Sequence, residues 1–187
     1  VKACGVDLSA AMLDEARRNG RELDLDVNWH HASMDLLPAG VEGANLLLCM
    51  GNTLPHLLTD DALHNTLLGF HAALAPDGRI AIHLLNYDAI LDRQERIVGV
   101  SHDGDIEYTR YYDFLPPYVR FNLQTIDTAA TPPTTNIHST TLWPYTQAEL
   151  RAALARAGFG HLHAYSGLDL EPYDPAASDT LLLIAQK

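Results

Sequence analysis

The sequence lacks the features that direct a protein into or across a membrane. No apolar stretch approaches the roughly 20 residues that a membrane-spanning helix needs. The N-terminus shows no basic region followed by an apolar segment and a cleavage site. We therefore expect no membrane partner and a cytoplasmic location.

Basic residues are also scarce. Twelve Lys and Arg residues stand against 24 Asp and Glu residues, for a formal net charge of -12. Binding to nucleic acid is driven by Lys and Arg that displace counterions from phosphates. This charge balance excludes nucleic acid as an expected partner.

Cysteine is nearly absent, which argues against a disulfide framework or a thiolate metal site. Cys4 and Cys49 are the only two cysteines, and both lie in apolar runs where a free Cys commonly serves as a small core residue. His30 and His31 have no carboxylate or Cys at ligand spacing on a helix. We expect a reducing environment and no metal ion.

The N-terminal stretch combines a strand, an acidic residue and a helix entry. Residues 1–6 are apolar and of strand type, Asp7 follows, and Ser9 can cap a helix that Gly20 would end. An acidic side chain at a strand tip of a doubly wound sheet can accept hydrogen bonds from ribose hydroxyls. An ordinary strand-end aspartate beside a helix cap explains the same pattern, and both interpretations stay open here.

Strand and helix patterns then alternate through about residue 95. The sequence predicts strands at 27–32, 44–50 and 79–85, a helix at 60–75 and a Pro-Asp-Gly turn at 76–78. Such alternation indicates an α/β fold with a parallel sheet. The N-terminal core is assigned to residues 1–95.

The pattern changes from residue 96 onward. Residues 96–144 alternate with a period of two between turn signals, which predicts an inserted antiparallel meander. Residues 145–187 return to the core, with a helix at 146–157 that Thr146 and Glu149 can close in a capping box, and strands at 161–167 and 179–186.

Polar side chains cluster directly after the predicted strands. Gly51, Asn52 and His56 follow the buried strand at 44–50, and residues 86–88 (Asn-Tyr-Asp) follow the next one. A Gly at a strand tip lets a ligand approach the backbone, Asn offers a donor and an acceptor, and His is a candidate base near neutral pH. A turn and a helix cap would account for the same residues structurally.

Together these motifs resemble a known enzyme family. VDLSAAMLDEAR, LLLCMGNTLPHL, LAPDGRIAI and NYD are similar to the class I S-adenosylmethionine-dependent methyltransferases, and within them to the glycine and sarcosine N-methyltransferase branch. The resemblance covers most of residues 1–92 and resumes at the last helix and two strands. It implies a Rossmann-like sheet, mostly parallel with an antiparallel last strand, in the order 3-2-1-4-5-7-6.

The resemblance also assigns site residues. Asp7 would bind the ribose of S-adenosyl-L-methionine and Leu8 would line the adenine pocket. Further cofactor contacts would come from two other strand tips: Ser33, Met34, Cys49, Met50, Gly51 and Asn52.

The methyl acceptor implied is a small molecule, expected to be an amine. Asn52, His56 and Tyr87 would be catalytic, and the acceptor contacts would be His56, Asn86, Tyr87, Arg110 and Tyr112. Glycine-methylating members carry an Arg where this chain has Leu85, and an alkyl side chain cannot replace a bidentate carboxylate clamp. The meander is expected to form the acceptor wall, with a homodimer surface or a cover over the sheet as the alternative.

Two other functions remain open from the sequence. An NAD-dependent oxidoreductase also uses an acid at this strand tip, but it offers no reason for GNTLPHL after the later strand. A methyltransferase-like domain without catalytic activity would keep the fold alone.

The glycine-rich cofactor loop and the first strand of the family sheet have no counterpart in the printed sequence. We therefore expect a gap between the strands that hold Cys4 and Cys49, no disulfide between them, and unpaired buried backbone groups at the sheet centre. Residues 1–187 alone are expected neither to bind the cofactor nor to fold cooperatively.

Overall fold

The computed structural model describes residues 2–187, so the first residue of the predicted opening strand, Val1, lies outside the described part. The strands are β1 (Ala3–Asp7), β2 (Val27–His31), β3 (Ala44–Cys49), β4 (Leu74–Leu85), β5 (Ile97–Asp103), β6 (Ile106–Leu115), β7 (Tyr118–Asp127), β8 (Thr134–Leu142), β9 (Gly160–Tyr165) and β10 (Thr180–Gln186). The helices are α1 (Ala10–Glu22), α2 (Asp60–Ala73), α3 (Tyr87–Arg93) and α4 (Gln147–Arg156), with a short 3-10 helix at Leu54–His56.

The core strands follow the expected order with one position vacant. β1 pairs with β2 in parallel, and a separate sheet has the order β3-β4-β10-β9. β3 and β4 are parallel, whereas β10 is antiparallel to both of its neighbours. The predicted Rossmann-like α/β class, with its antiparallel last strand, is confirmed.

The edges of β1 and β3 carry no partner strand among residues 2–187. β1 bonds only to β2, and β3 bonds only to β4. On β3, Leu46 and Leu48 are 56% and 60% exposed, although apolar side chains of this size are normally buried in a parallel sheet. The chain therefore presents two unpaired strand edges in the middle of the family sheet order.

One face of the four-stranded sheet holds the main core. Because side chains alternate along a strand, Ile80, Ile82 and Leu84 point to the same face of β4. Leu67 of α2 and Leu154 of α4 belong to the same buried cluster. This cluster fixes β4 and β10, which lie between the other strands, as the rigid centre of the domain.

Two predicted boundaries are wrong. Gly20 is buried inside α1, and the helix ends only at its cap residue Leu23. The predicted helix end at Gly20 is therefore wrong, and an added Cβ at this position would meet Trp29 only at an ordinary van der Waals distance of 3.9 Å.

The Pro-Asp-Gly segment at 76–78 is likewise part of β4 and does not separate a helix from a strand. α2 stops at Ala73, and the pairing of β3 with β4 shifts register at this segment. At Gly78 an added Cβ would lie 3.0 Å from the Ala44 carbonyl oxygen, so a glycine is needed for this close approach.

The meander forms its own sheet, with strand order β5-β6-β7-β8 and antiparallel pairing throughout. Its inner end joins the main core through Tyr112, Val119 and Leu142. The predicted inserted meander is therefore confirmed.

No helix in the described part of the chain is long and apolar enough to cross a membrane. Both cysteines are free. Cys49 is buried as expected, but Cys4 is exposed.

Candidate active site

The carboxyl ends of parallel strands β1, β3 and β4 carry the polar residues that the sequence singled out. In open α/β sheets ligands bind at this edge. Asp7 ends β1, Cys49 ends β3, and Leu85 ends β4. Strand polarity thus brings the predicted motifs to one side of the fold.

Asp7 is exposed and only half engaged in hydrogen bonds. One carboxylate oxygen accepts from the Ser9 N–H at 2.7 Å. The other has no hydrogen-bond partner within residues 2–187 and remains open to a ligand. Ser9 accepts from the Met12 N–H and caps α1, so Asp7 supports the helix entry and keeps one acceptor oxygen free, and the ribose contact stays a prediction.

Leu8 follows with 70% of its surface exposed, which makes an apolar platform next to the carboxylate. Its carbonyl oxygen accepts from the His31 Nε2–H at 2.8 Å. Sequence reasoning tested His31 only as a metal ligand and missed this supporting role. Ala32 N–H donates to the Asp7 carbonyl at 3.1 Å, so the β2 tip that carries Ser33 and Met34 lies beside Asp7.

Ser33 and Met34 form a turn in which Leu36 N–H donates to the Ser33 carbonyl at 3.2 Å. Both residues are half-buried, and Met34 packs against the main hydrophobic core. Their position at the β2 tip is compatible with a base-edge contact, which stays a prediction.

The β3 tip turns sharply at Gly51 and Asn52. Both residues have left-handed backbones, with φ of 71° and 63°. An added Cβ on Gly51 would meet nothing within 4 Å, so the backbone here is open. Met50 closes the loop, since its carbonyl accepts from the Thr53 hydroxyl at 2.8 Å.

Three hydrogen bonds hold Asn52. Its N–H donates to the His83 carbonyl at 3.2 Å, and its Oδ1 accepts from the Leu85 N–H at 3.2 Å. Its Nδ2 donates to the Tyr87 hydroxyl at 3.0 Å. The structure therefore brings Asn52 and Tyr87 together, as the sequence predicted for adjacent strand tips.

Burial changes the role open to Tyr87. Its side chain is fully buried, and burial is the main reason that the pKa of its phenol is raised. A phenol that stays protonated at neutral pH and has no exposed surface cannot act as a base or touch the acceptor in this conformation. In this conformation Tyr87 supports Asn52 and offers no exposed surface to a ligand, and its catalytic and acceptor-binding roles stay predictions.

Burial also limits the contact that Cys49 can make with a cofactor. Its side chain is 7% exposed and belongs to the hydrophobic core, and burial raises the pKa of its thiol to about 11. A neutral thiol turned into the core leaves only the backbone of this residue to face a cofactor.

Asn86 is a structural residue. It is 1% exposed, its Oδ1 accepts from the Ala89 N–H at 3.2 Å, and its Nδ2 donates to the Pro175 and Ser178 carbonyls. The Tyr173 hydroxyl is 2.5 Å from the same Oδ1. The polar atoms of Asn86 cap α3 and hold residues 175–178, so its predicted acceptor contact stays a prediction that these hydrogen bonds do not favour.

The two meander residues predicted to contact the acceptor, Tyr112 and Arg110, differ in exposure. Tyr112 is 3% exposed and packs against Phe114 and Phe121, so burial removes it from an acceptor surface. Burial also raises the pKa of its phenol. Arg110, two residues away on the same strand face, is exposed and donates to the Ser101 hydroxyl at 3.1 Å.

His56 is exposed at the end of the 3-10 helix. Pro55 and Leu57 on either side of it are buried, which fixes the loop while leaving the imidazole on its outer side. Its place near the β3 tip keeps it a candidate base.

Sequence reasoning missed one half-buried hydrogen-bond network. The Asp88 carboxylate accepts from the Gln147 N–H at 3.0 Å and from the Tyr173 hydroxyl at 2.9 Å. It ties α3, α4 and the β9–β10 loop together behind the strand tips. The α4 capping box of Thr146 and Glu149 was visible in the sequence, but the hydrogen bond from the adjacent Gln147 N–H to Asp88 was not.

Comparison with known proteins supports the family. A family described as methyltransferase domain matches residues 1–78. A glycine/sarcosine N-methyltransferase of Halorhodospira halochloris is 31% identical over 112 residues, which are 57% of this chain and 37% of that protein. A glycine/sarcosine/dimethylglycine N-methyltransferase of Actinopolyspora halophila is 36% identical over 92 residues, 46% of this chain and 16% of that protein. The chain thus spans well under half the length of these relatives.

Solved structures share the fold along the whole chain. An S-adenosylmethionine-dependent methyltransferase from Clostridium acetobutylicum has a TM-score of 0.85 at 13% identity and covers 100% of this chain and 75% of its own. The CcbJ methyltransferase from Streptomyces caelestis has a TM-score of 0.83 at 18% identity, with coverage of 99% and 74%. Residues 1–78 are thus similar in sequence to a methyltransferase domain, and the whole chain shares the fold of S-adenosylmethionine-dependent methyltransferases.

Proposed function

We propose that the protein transfers a methyl group from S-adenosylmethionine to the nitrogen of a small-molecule amine. The observation that carries the proposal is the open, left-handed turn at Gly51 and Asn52. Two hydrogen bonds of 3.2 Å hold Asn52 to β4, one from its N–H to the His83 carbonyl and one from the Leu85 N–H to its Oδ1. The turn stands at the carboxyl end of β3, the end of a parallel strand at which this fold class binds ligands.

The residues present fit the nucleoside part of the cofactor. The free Asp7 oxygen suits ribose hydroxyls, which are hydrogen-bond donors. The exposed Leu8 side chain suits the apolar face of a purine, and a ligand would remove it from water. Backbone at Gly51 can approach the ligand closely because nothing occupies the space above it.

When bound, S-adenosylmethionine supplies an already activated methyl donor. This chain then has to hold the acceptor nitrogen in line and exclude water. Asn52 is suited to orient it, since its amide is pinned by Leu85 and Tyr87 and keeps one N–H and one lone pair unused. His56 can take the proton that an ammonium acceptor must lose.

Leu85 argues against glycine itself as the acceptor. Its backbone N–H serves Asn52, and its aliphatic side chain cannot grip a carboxylate. We infer an amine whose recognition does not depend on a carboxylate clamp at this position. The relatives named as glycine/sarcosine N-methyltransferases support the amine class and not this particular substrate.

The cofactor proposal is tested on the full-length protein by thermal shift with S-adenosylhomocysteine and with NAD. We expect stabilisation by S-adenosylhomocysteine only. Stabilisation by NAD alone would instead identify an oxidoreductase.

Substitution of Asp7→Asn tests the ribose contact. Loss of a charged hydrogen-bond acceptor costs about 1.5–3 kcal/mol, so Kd for S-adenosylhomocysteine should rise by at least about tenfold in calorimetry. Asp26→Asn, an exposed change before β2, is the matched control and should bind like wild type. Equal affinities of both variants would remove Asp7 from the site.

The acceptor proposal is tested with radiolabelled S-adenosylmethionine and a panel that pairs each amino acid with its decarboxylated amine. We expect methylation of the amine members and little of glycine. Faster methylation of the carboxylate-bearing member of each pair would contradict the inference from Leu85. Cofactor binding without transfer to any amine would instead support a non-catalytic domain.

A further inference from the structure

A cavity of about 270 Å³ lies where the meander meets α3 and α4. It is lined by residues of the β6–β7 hairpin, the end of α3 and the segment that leads into α4. Its lining includes the side chains of Phe114, Pro116, Tyr118, Trp143 and Glu149. None of the predicted cofactor residues takes part in it.

Its aromatic walls are fixed in place. The rings of Tyr118 and Trp143 lie 5.6 Å apart at 83°, so they meet as two walls of a corner. Trp143 is stacked on the buried Tyr145 ring at 5.8 Å, and Phe114 packs against Tyr112. A ligand would enter a site whose rings need little reordering.

The cavity carries one negative charge. Glu149 is the only charged residue in its lining, which contains no Lys or Arg. One oxygen of this carboxylate accepts from the Thr146 N–H and hydroxyl at 2.8 Å. Its second oxygen has no hydrogen-bond partner in the part of the chain that the structure describes.

We propose that this cavity binds a small organic cation of the alkylammonium class. Aromatic faces attract such cations through the ring quadrupole, and a carboxylate beside them adds charge complementarity. A single carboxylate is a poor site for a metal ion, which prefers several oxygen ligands. The volume accommodates a few carbon atoms around one charged nitrogen.

The same aromatic residues also hold the loop of the candidate active site. Trp143 N–H donates to the Pro55 carbonyl at 2.8 Å, and the Tyr145 hydroxyl donates to the Leu57 carbonyl at 2.6 Å. Tyr118 reaches the Leu58 carbonyl at 3.4 Å. A bound cation would therefore rest against the groups that support His56.

Titration of the full-length protein with tetramethylammonium chloride tests the proposal, with tert-butanol as an uncharged ligand of similar size and NaCl to match ionic strength. Binding is measured by calorimetry and by ligand-observed NMR. We expect saturable binding of tetramethylammonium that is at least about fivefold tighter than that of tert-butanol.

Glu149→Gln is the decisive variant, because glutamine keeps the cap hydrogen bonds to Thr146 and removes only the charge. It should lose most of the preference for the cation, and Trp143→Leu should lose it as well. Glu171→Gln, an exposed change in the β9–β10 loop, is the control and should bind like wild type. Equal binding of the two ligands, no saturation, or an unchanged Glu149→Gln variant would each overturn the proposal.

Discussion

Asn52 adopts a left-handed backbone, with φ of 63°, a conformation that Asn tolerates better than most residues. Its amide is pinned by the Leu85 N–H on one side and the Tyr87 hydroxyl on the other. The orientation of this side chain is therefore set before any ligand arrives. Tyr87 acts through Asn52 and, being fully buried, has no surface of its own to offer.

Tyr87→Phe distinguishes a supporting role of Tyr87 from a role as a general base. Removing the hydroxyl leaves one Asn52 N–H without its partner, a loss of about 1 kcal/mol, so kcat should fall by a factor of about three to ten. The pH profile of kcat/KM should not move, because a phenol with a raised pKa does not titrate near neutral pH. A shifted profile, or a loss of more than about a thousandfold, would show that the phenol is a general base. Tyr165→Phe, whose hydroxyl makes no hydrogen bond among the described residues, is the matched control.

At the scale of elements, α4 begins with a complete capping box. The Thr146 hydroxyl accepts from the Glu149 N–H at 3.3 Å, and the Glu149 carboxylate accepts in return from the Thr146 N–H at 2.8 Å. The helix then lays Leu150 and Leu154 into the core, both fully buried. Loss of the cap should therefore lower the free energy of unfolding of the whole domain.

Thr146→Ala should lower the free energy of unfolding by about 1 kcal/mol. Thr146→Ser keeps the capping oxygen and should stay within about 0.5 kcal/mol of wild type. Urea denaturation of the full-length protein followed by circular dichroism measures both. Equal losses would mean that the threonine methyl group and not the cap is responsible.

The meander carries its own charge cluster at Asp113. The hydrogen bond from Arg120 lowers the pKa of the Asp113 carboxyl, and those from Asn122 and Arg96 act in the same direction. A carboxyl with a depressed pKa stabilises the folded state above the unfolded pKa of about 3.9, and the contribution is lost as the pH falls through the lower folded value.

Asp113→Asn should therefore be less stable than wild type at neutral pH, and the difference should shrink as the pH falls from about 5 to about 3. Denaturant midpoints at a series of pH values measure it. Asp92→Asn, an exposed carboxyl with no hydrogen bond within residues 2–187, should show no such trend. A difference that grows toward acid would contradict the assignment.

At the scale of the molecule, the unpaired edges of β1 and β3 divide the chain into two parts that we expect to differ in local stability. β4, β10 and β7 are paired on both sides, whereas β1 pairs only with β2, and no hydrogen bond within residues 2–187 joins this pair to the other sheets. Leu13 is buried within its own small unit and does not belong to the main cluster. Local stability should therefore differ sharply between the two parts of the chain.

Hydrogen exchange on a polypeptide of residues 1–187 tests this contrast. Amides of β1 and α1 should exchange much faster than those of β4 and β10, because opening the small unit exposes little buried surface. The doubly paired β7 is the internal control. Uniform protection, or one sharp cooperative melt of this polypeptide, would contradict the expectation.

Periodicity and turn chemistry were sufficient to predict the strands, the meander and the helix caps at Ser9 and Thr146, because these features depend on side chains close together in sequence. Sequence resemblance also located the vacant position in the sheet order. Packing decided what local pattern could not, because Gly20 continues α1 and Gly78 allows the close approach of the Ala44 carbonyl to β4.

The chain's own residues thus determined the α/β class, the strand-tip motifs and the family resemblance. Only the tertiary structure decided which of those motifs can meet a ligand, because burial depends on contacts between distant segments. It leaves an oxygen of Asp7 and the Gly51 backbone open. It turns Cys49, Asn86, Tyr87 and Tyr112 inward, where low exposure raises the pKa values of the cysteine and both tyrosines and the hydrogen bonds of Asn86 are already used.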